Sequence, residues 1–305
     1  MSTITRQPSA LGVLARQEIR QYLRHKLFWL GAAVMVLTDV TMILGVLDSN
    51  GSSLAYMIIP ATLLGLLGLV TTYGLTRRSD RAALAAGAVA VPERTRTLAL
   101  VAAVVVVPGG LALLSWVVAV AAYYVAPPKA YIVPPSVSDA FLFAQMFGDG
   151  VLCAVGGPLL GLLLARYLPR RGVPVVSVVA LVIVTILAQG NFAGGQPSRV
   201  WWVWTYFVTQ VSVVDGQPIS GFSSDPAREI YMGTLPGNPY LWLVYLVLLC
   251  VLGVLVAVMH DPESDRLLLR KAAAGVLVAA VVAGILTMTV GHTDMVISHL
   301  PCTSC

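Results

Sequence analysis

The last fifteen residues, GHTDMVISHLPCTSC, gather the donor atoms that zinc or copper takes: His292, Asp294, His299, Cys302 and Cys305. Cys302 and Cys305 form a C-x-x-C, which outside the cytoplasm closes as a disulfide just as readily. Zinc ligands usually come in tighter pairs, so an oxidised pair or a plain tail fits this spacing better, and no metal is assigned. Two carboxylates stand in otherwise apolar surroundings: Asp39 in VLTDVTM and Asp149 in FGDGV. A charge at membrane depth is costly, which makes each a candidate for lining a polar path or for pairing inside a helix bundle. Gly148 and Gly150 beside Asp149 would allow a second helix to approach closely. Hydrolysis within a membrane needs paired aspartates, Ser–His, or two histidines with a glutamate. The apolar runs contain no histidine, His25, His260 and His292 lie at their ends, and neither aspartate sits in a Tyr-Asp or Gly-x-Gly-Asp context. Nucleotide hydrolysis needs a P-loop lysine after a glycine-rich turn. The lysines are Lys26, Lys129 and Lys271, and none follows a glycine. The chain therefore reads as a non-enzyme.

The surroundings of these residues set the class. Of 305 residues, 58% are hydrophobic and 11% charged, and the mean hydropathy is +0.85. A soluble domain carries about 25% charged residues, so a soluble globule and a disordered chain are both excluded. A membrane-spanning helix needs about 20 mostly apolar residues. Seven runs qualify, at 27–47, 54–75, 98–126, 141–165, 174–190, 240–259 and 272–290, with Pro108-Gly109-Gly110 predicting a kink in the third. The first run starts too late and is too long for a cleavable signal peptide. The net charge is +5, and sixteen of the nineteen Lys and Arg residues fall on alternate connections, leaving Lys129, Arg199 and Arg228. The positive-inside rule then places the N-terminus in the cytoplasm and the C-terminus outside, and it accounts for the basic excess without a nucleic-acid partner. The expected fold is an all-α multi-pass protein of the cell membrane with about seven spans.

Residues 1–26 contain ALGVLARQEIRQYLRHK, with apolar residues at three- and four-residue steps and cations opposite, which predicts an amphipathic helix lying on membrane lipids. Between the second and third runs, 76–97 reads TRRSDRAALAAGAVAVPERTRT. Arg77, Arg78, Asp80 and Arg81 open a helix-forming stretch through Ala86, Gly87 can end it, and Pro92 can start the next helix. A solvated positive-inside loop explains the same charges. The segment 191–239 holds Trp201, Trp202, Trp204, Tyr206 and Phe207, which predicts an interfacial or re-entrant helix at 198–213, or simply an anchor in the bilayer. The chain shows no internal repeat, which argues against a secondary transporter.

A cationic elbow helix before the first span, an Arg-Arg-x-Asp-Arg loop after the second, and an aromatic outer segment between the fifth and sixth resemble the permease subunits of ABC-2 type ABC transporters. The resemblance covers residues 10–260. It implies a six-span core at 27–259, and 260–305 then add an inner loop, a seventh span and an outer tail that the family core lacks. It implies a coupling segment at Arg77, Arg78, Asp80, Arg81 and Leu84 that docks on a separate ABC-type ATPase subunit. ATP and Mg would be bound by that partner, with no cofactor in this chain. A second permease chain, identical or different, would complete the complex, and Asp39 and Asp149 would be candidates for the path. The implied function is export of a hydrophobic or amphipathic substrate. A membrane sensor or scaffold that binds a cytoplasmic signalling partner through the inner loops is the alternative reading.

Overall fold

The computed structural model describes residues 10–48, 58–87, 91–125, 139–192, 230–234, 238–290 and 295–299. The predicted aromatic helix at 198–213 and the tail residues His292, Asp294, Cys302 and Cys305 lie outside the described residues. Eight helices account for nearly all of the described chain. They are α1 (Ala10–Leu23), α2 (Lys26–Asp48), α3 (58–86), α4 (Glu93–Val125), α5 (139–167), α6 (Val173–Phe192), α7 (Pro239–Val258) and α8 (Arg266–Thr289). Apolar composition lets these segments be helical inside a bilayer, where the backbone has no water to bond and must satisfy itself. Five of them are long and apolar enough to cross a membrane: 26–45, 93–125, 143–167, 240–258 and 266–287. This is the make-up of a multi-pass helical membrane protein. The helices α3 and α6 occupy the remaining two predicted spans. One departure from an all-helical chain appears among the described residues: Ile230–Thr234 (β1) pairs antiparallel with Met295–His299 (β2), placing His299 opposite Ile230.

Local signals account for the ends. Gly87 has φ +57°, a conformation that suits glycine, and its N–H bonds the carbonyl of Ala83 to close α3. Asn238 caps α7 by accepting hydrogen bonds from the N–H groups of Tyr240 and Leu241, and Asp265 does the same for α8 at Leu267 and Leu268. The cap at Asp265 starts α8 at Arg266, six residues before the apolar run at 272, because three cations in the first turns of a helix do not interrupt its backbone bonding.

The helices α3 and α5 form the centre. A Cβ added to Gly157 would stand 2.2 Å from the carbonyl oxygen of Gly65, and one on Gly161 2.2 Å from that of Leu69. The two backbones therefore touch through a G-x-x-x-G row, the small-residue contact that replaces the hydrophobic effect between helices in lipid. Three wide π turns, Ala61–Gly65, Val105–Gly109 and Gly148–Leu152, interrupt α3, α4 and α5. The second contains Pro108, where the sequence predicts a kink. Tyr22, Leu64, Leu100, Val104, Leu159 and Leu162 are buried around the crossing, which draws α1 and α4 into the same core.

Candidate functional site

The charged ends of α3, α4, α5 and α7 meet at one end of the bundle. Arg166, at the end of α5, has a side chain only 1% exposed. Its guanidinium lies 2.5 Å from Asp80 on α3 and 3.3 Å from Glu93 at the start of α4, and it donates to the Thr97 hydroxyl at 3.0 Å. Arg96 approaches Asp80 from α4 at 3.1 Å and also donates to the carbonyls of Ser79 and Val91. Glu93 receives a further contact from His260 Nδ1 at 2.6 Å. Two carboxylates and two guanidiniums thus balance in a half-buried cluster, the arrangement that such burial requires.

The turn after α7 completes the clamp. Asp261 is buried and accepts the N–H of Arg94 at 2.9 Å and that of Glu263 at 3.1 Å. Pro92 precedes α4 but supplies no side-chain cap. A carboxylate from a segment 167 residues away does that work, with the favourable sign for a helix N-terminus. Tyr167 adds an edge-on contact with His260 and donates to the carbonyl of Val256.

This arrangement divides the coupling segment expected from the sequence. The segment 77–86 is the direct continuation of α3, without a break from the apolar core. Asp80 turns inward to Arg96 and Arg166, Arg77 is half-buried, and Arg78, Arg81 and Leu84 are exposed, Leu84 by 83%. The resemblance groups Asp80 with the arginines in one docking segment, whereas its carboxylate is taken up inside the chain. Glu93, Arg166 and His260 are not legible from the sequence as members of one site, although acids and a histidine among so many cations at the helix ends are a signal that partners exist. Nearby on α1, Glu18 is buried with Oε2 unpartnered. Burial raises its carboxyl above the ordinary value, and Arg78 and Arg96 oppose that shift.

The two intramembrane carboxylates have different settings. Asp149 is 1% exposed inside the π turn of α5, with Oδ2 3.4 Å from Gln145 Nε2 and Oδ1 unpartnered. The ring of Trp242 covers the adjacent Gly148. Asp39 on α2 accepts a hydrogen bond from Ser115 on α4 at 2.7 Å and lines an apolar groove of about 200 Å³ with Met35, Val36 and Leu114. The structure does not bring the two together as a pair. Among the described residues no three His, Cys, Asp or Glu side chains gather as a metal site. Comparison of this chain with models of known families, with curated proteins and with solved structures finds no match.

Proposed function

We propose that this chain is a membrane permease subunit of the ABC-2 kind, which exports a hydrophobic or amphipathic substrate with energy from a separate ATPase. One observation carries the reading. The exposed tip of α3, with Arg78, Arg81 and Leu84, is continuous with the helix that makes the backbone contact to α5, and Asp80 ties it to Arg96 and Arg166. A push on that tip would move the inner ends of three helices as one piece. A floppy loop would absorb the same push. Asp39 and Ser115, in a groove that is otherwise apolar, are the proposed cargo contact on this reading.

The test is to purify the tagged chain in mild detergent, identify what accompanies it, and assay vanadate-sensitive ATP hydrolysis. A stoichiometric ABC-type ATPase is expected. Arg78→Glu with Arg81→Glu should leave the bundle folded and abolish substrate-stimulated hydrolysis. A folded chain without an ATPase would remove the proposal, and recovery of a signalling protein on the same tip would replace it with the scaffold reading.

A further inference from the structure

We propose that the cleft between α1 and α3 is a binding site for a phosphate-bearing anion, either a lipid headgroup or a soluble phosphate. The cleft has a volume of about 810 Å³ and is lined by Arg16, Arg20, Arg24 and His25 from the α1 end and by Arg78 from α3. No carboxylate lines it. Arg16 and Arg20 are four residues apart on one face of α1, and Arg24 follows in the turn after it, so the three line the same cleft and repel one another. Glu18, buried on the packed face of α1, gives Arg78 some compensation at longer range, but one carboxyl set against four arginines leaves the cleft strongly positive, which favours an anion in it.

The contrast with the neighbouring cluster is informative. Arg96 and Arg166 are met by Asp80 and Glu93, whereas among the described residues none of the four cleft arginines lies within ion-pair distance of a carboxylate. Nδ1 of His25 is buried without a hydrogen-bond partner and belongs to the same lining. Guanidinium groups bind phosphate oxygens in pairs, and four of them match a ligand of two or more negative charges, or two singly charged headgroups. The cleft adjoins Lys26, where the apolar α2 begins, which is headgroup depth for a membrane helix. This inference does not depend on the transport reading. Arg78 distinguishes it from general attraction of a basic helix to a membrane, because it comes from a different element.

Native mass spectrometry of the delipidated full-length protein in neutral detergent tests it, with phosphatidylglycerol, phosphatidylcholine and inorganic pyrophosphate added separately and then in competition. Phosphatidylglycerol or pyrophosphate should be retained over phosphatidylcholine. Arg20→Gln with Arg78→Gln should lower that retention about tenfold or more, given the attraction expected per cation. Arg16→Gln with Arg24→Gln should repeat the loss, and Arg170→Gln with Arg171→Gln, outside the cleft, should not. Retention of phosphatidylglycerol that pyrophosphate fails to displace assigns a lipid, and the reverse order assigns a soluble phosphate. Equal retention of all three, or equal loss in the variants outside the cleft, overturns the site.

Discussion

The helices α5 and α8 have nearly the same mean hydropathy across their apolar windows, 1.7 and 1.9, yet 72% of the first window is buried in the bundle and 22% of the second. Both contain glycines and a cation near an end. In α5, Gly157 and Gly161 touch another backbone, and the cation is enclosed by two carboxylates. In α8 a Cβ on Gly275 would meet nothing within 4 Å, and Arg266, Arg270 and Lys271 are exposed. The helix α8 is held along one stripe, where Ala280, Ala283 and Thr287 are buried and Gly284 faces Tyr245 of α7. Its outward Leu277, Val278, Val281 and Val282 suit lipid as well as protein. Hydropathy reports that both helices avoid water and is silent on whether lipid or another helix replaces it.

Matched substitutions should separate the two most strongly at the glycines. Gly161→Leu drives a side chain into the backbone of α3 and should prevent folding or cost about 3 kcal/mol or more, while Gly275→Leu should change stability by less than about 0.5 kcal/mol. Thermal unfolding in detergent with size-exclusion recovery measures both. Equal tolerance would dissolve the distinction between centre and periphery. The cations come next. Arg166→Ala leaves Glu93 and Asp80 without their buried partner, at a cost of about 3 kcal/mol, whereas Arg270→Ala on α8 should be near neutral. Chemical denaturation of the two variants side by side would show it, and an Arg166→Ala protein as stable as the parent would mean the clamp does not hold the bundle.

The smallest effect concerns α1, which repeats the contrast on a single helix. Glu18 lies on its packed face and Arg20 on its open one. Burial raises the Glu18 carboxyl above 4.5 in the folded state, so the folded protein holds that proton more tightly than the unfolded chain. Stability from this group is therefore present at low pH, declines as pH rises through 4.5, and levels off above the raised value. Glu18→Gln should flatten that part of the profile and raise the melting temperature at neutral pH. An unchanged slope would place the Glu18 side chain in water.

Much of the helical layout was legible from the residues. The apolar runs locate the helices because the bilayer demands one property, continuous apolarity, over a known length. Gly87 and Pro92 mark a helix end and a helix start correctly because both act through the local backbone. The apolar run at 272 does not mark the start of α8 at Arg266, because apolarity ends where charge begins, but helical hydrogen bonding does not. The charged clamp was legible only in part. Asp80, Arg96 and Arg166 could each be marked as inner-end residues, but Asp80 and Arg166 are 86 positions apart, and nothing in either neighbourhood names the other.

Sequence by itself determined that this chain is helical, apolar and segregated in charge, since each of those follows from residue types along a line. Tertiary structure alone decided that Asp80 faces inward while Arg78 and Arg81 face out. It decided too that Asp261 caps α4, and that Gly157 and Gly161 rather than Gly275 are sites of helix contact. The physical reason is range. Helix formation and avoidance of water are settled within one or two turns, whereas lipid exposure, the partner of a buried charge, and the neighbour that a missing Cβ admits depend on which helices the whole bundle brings side by side.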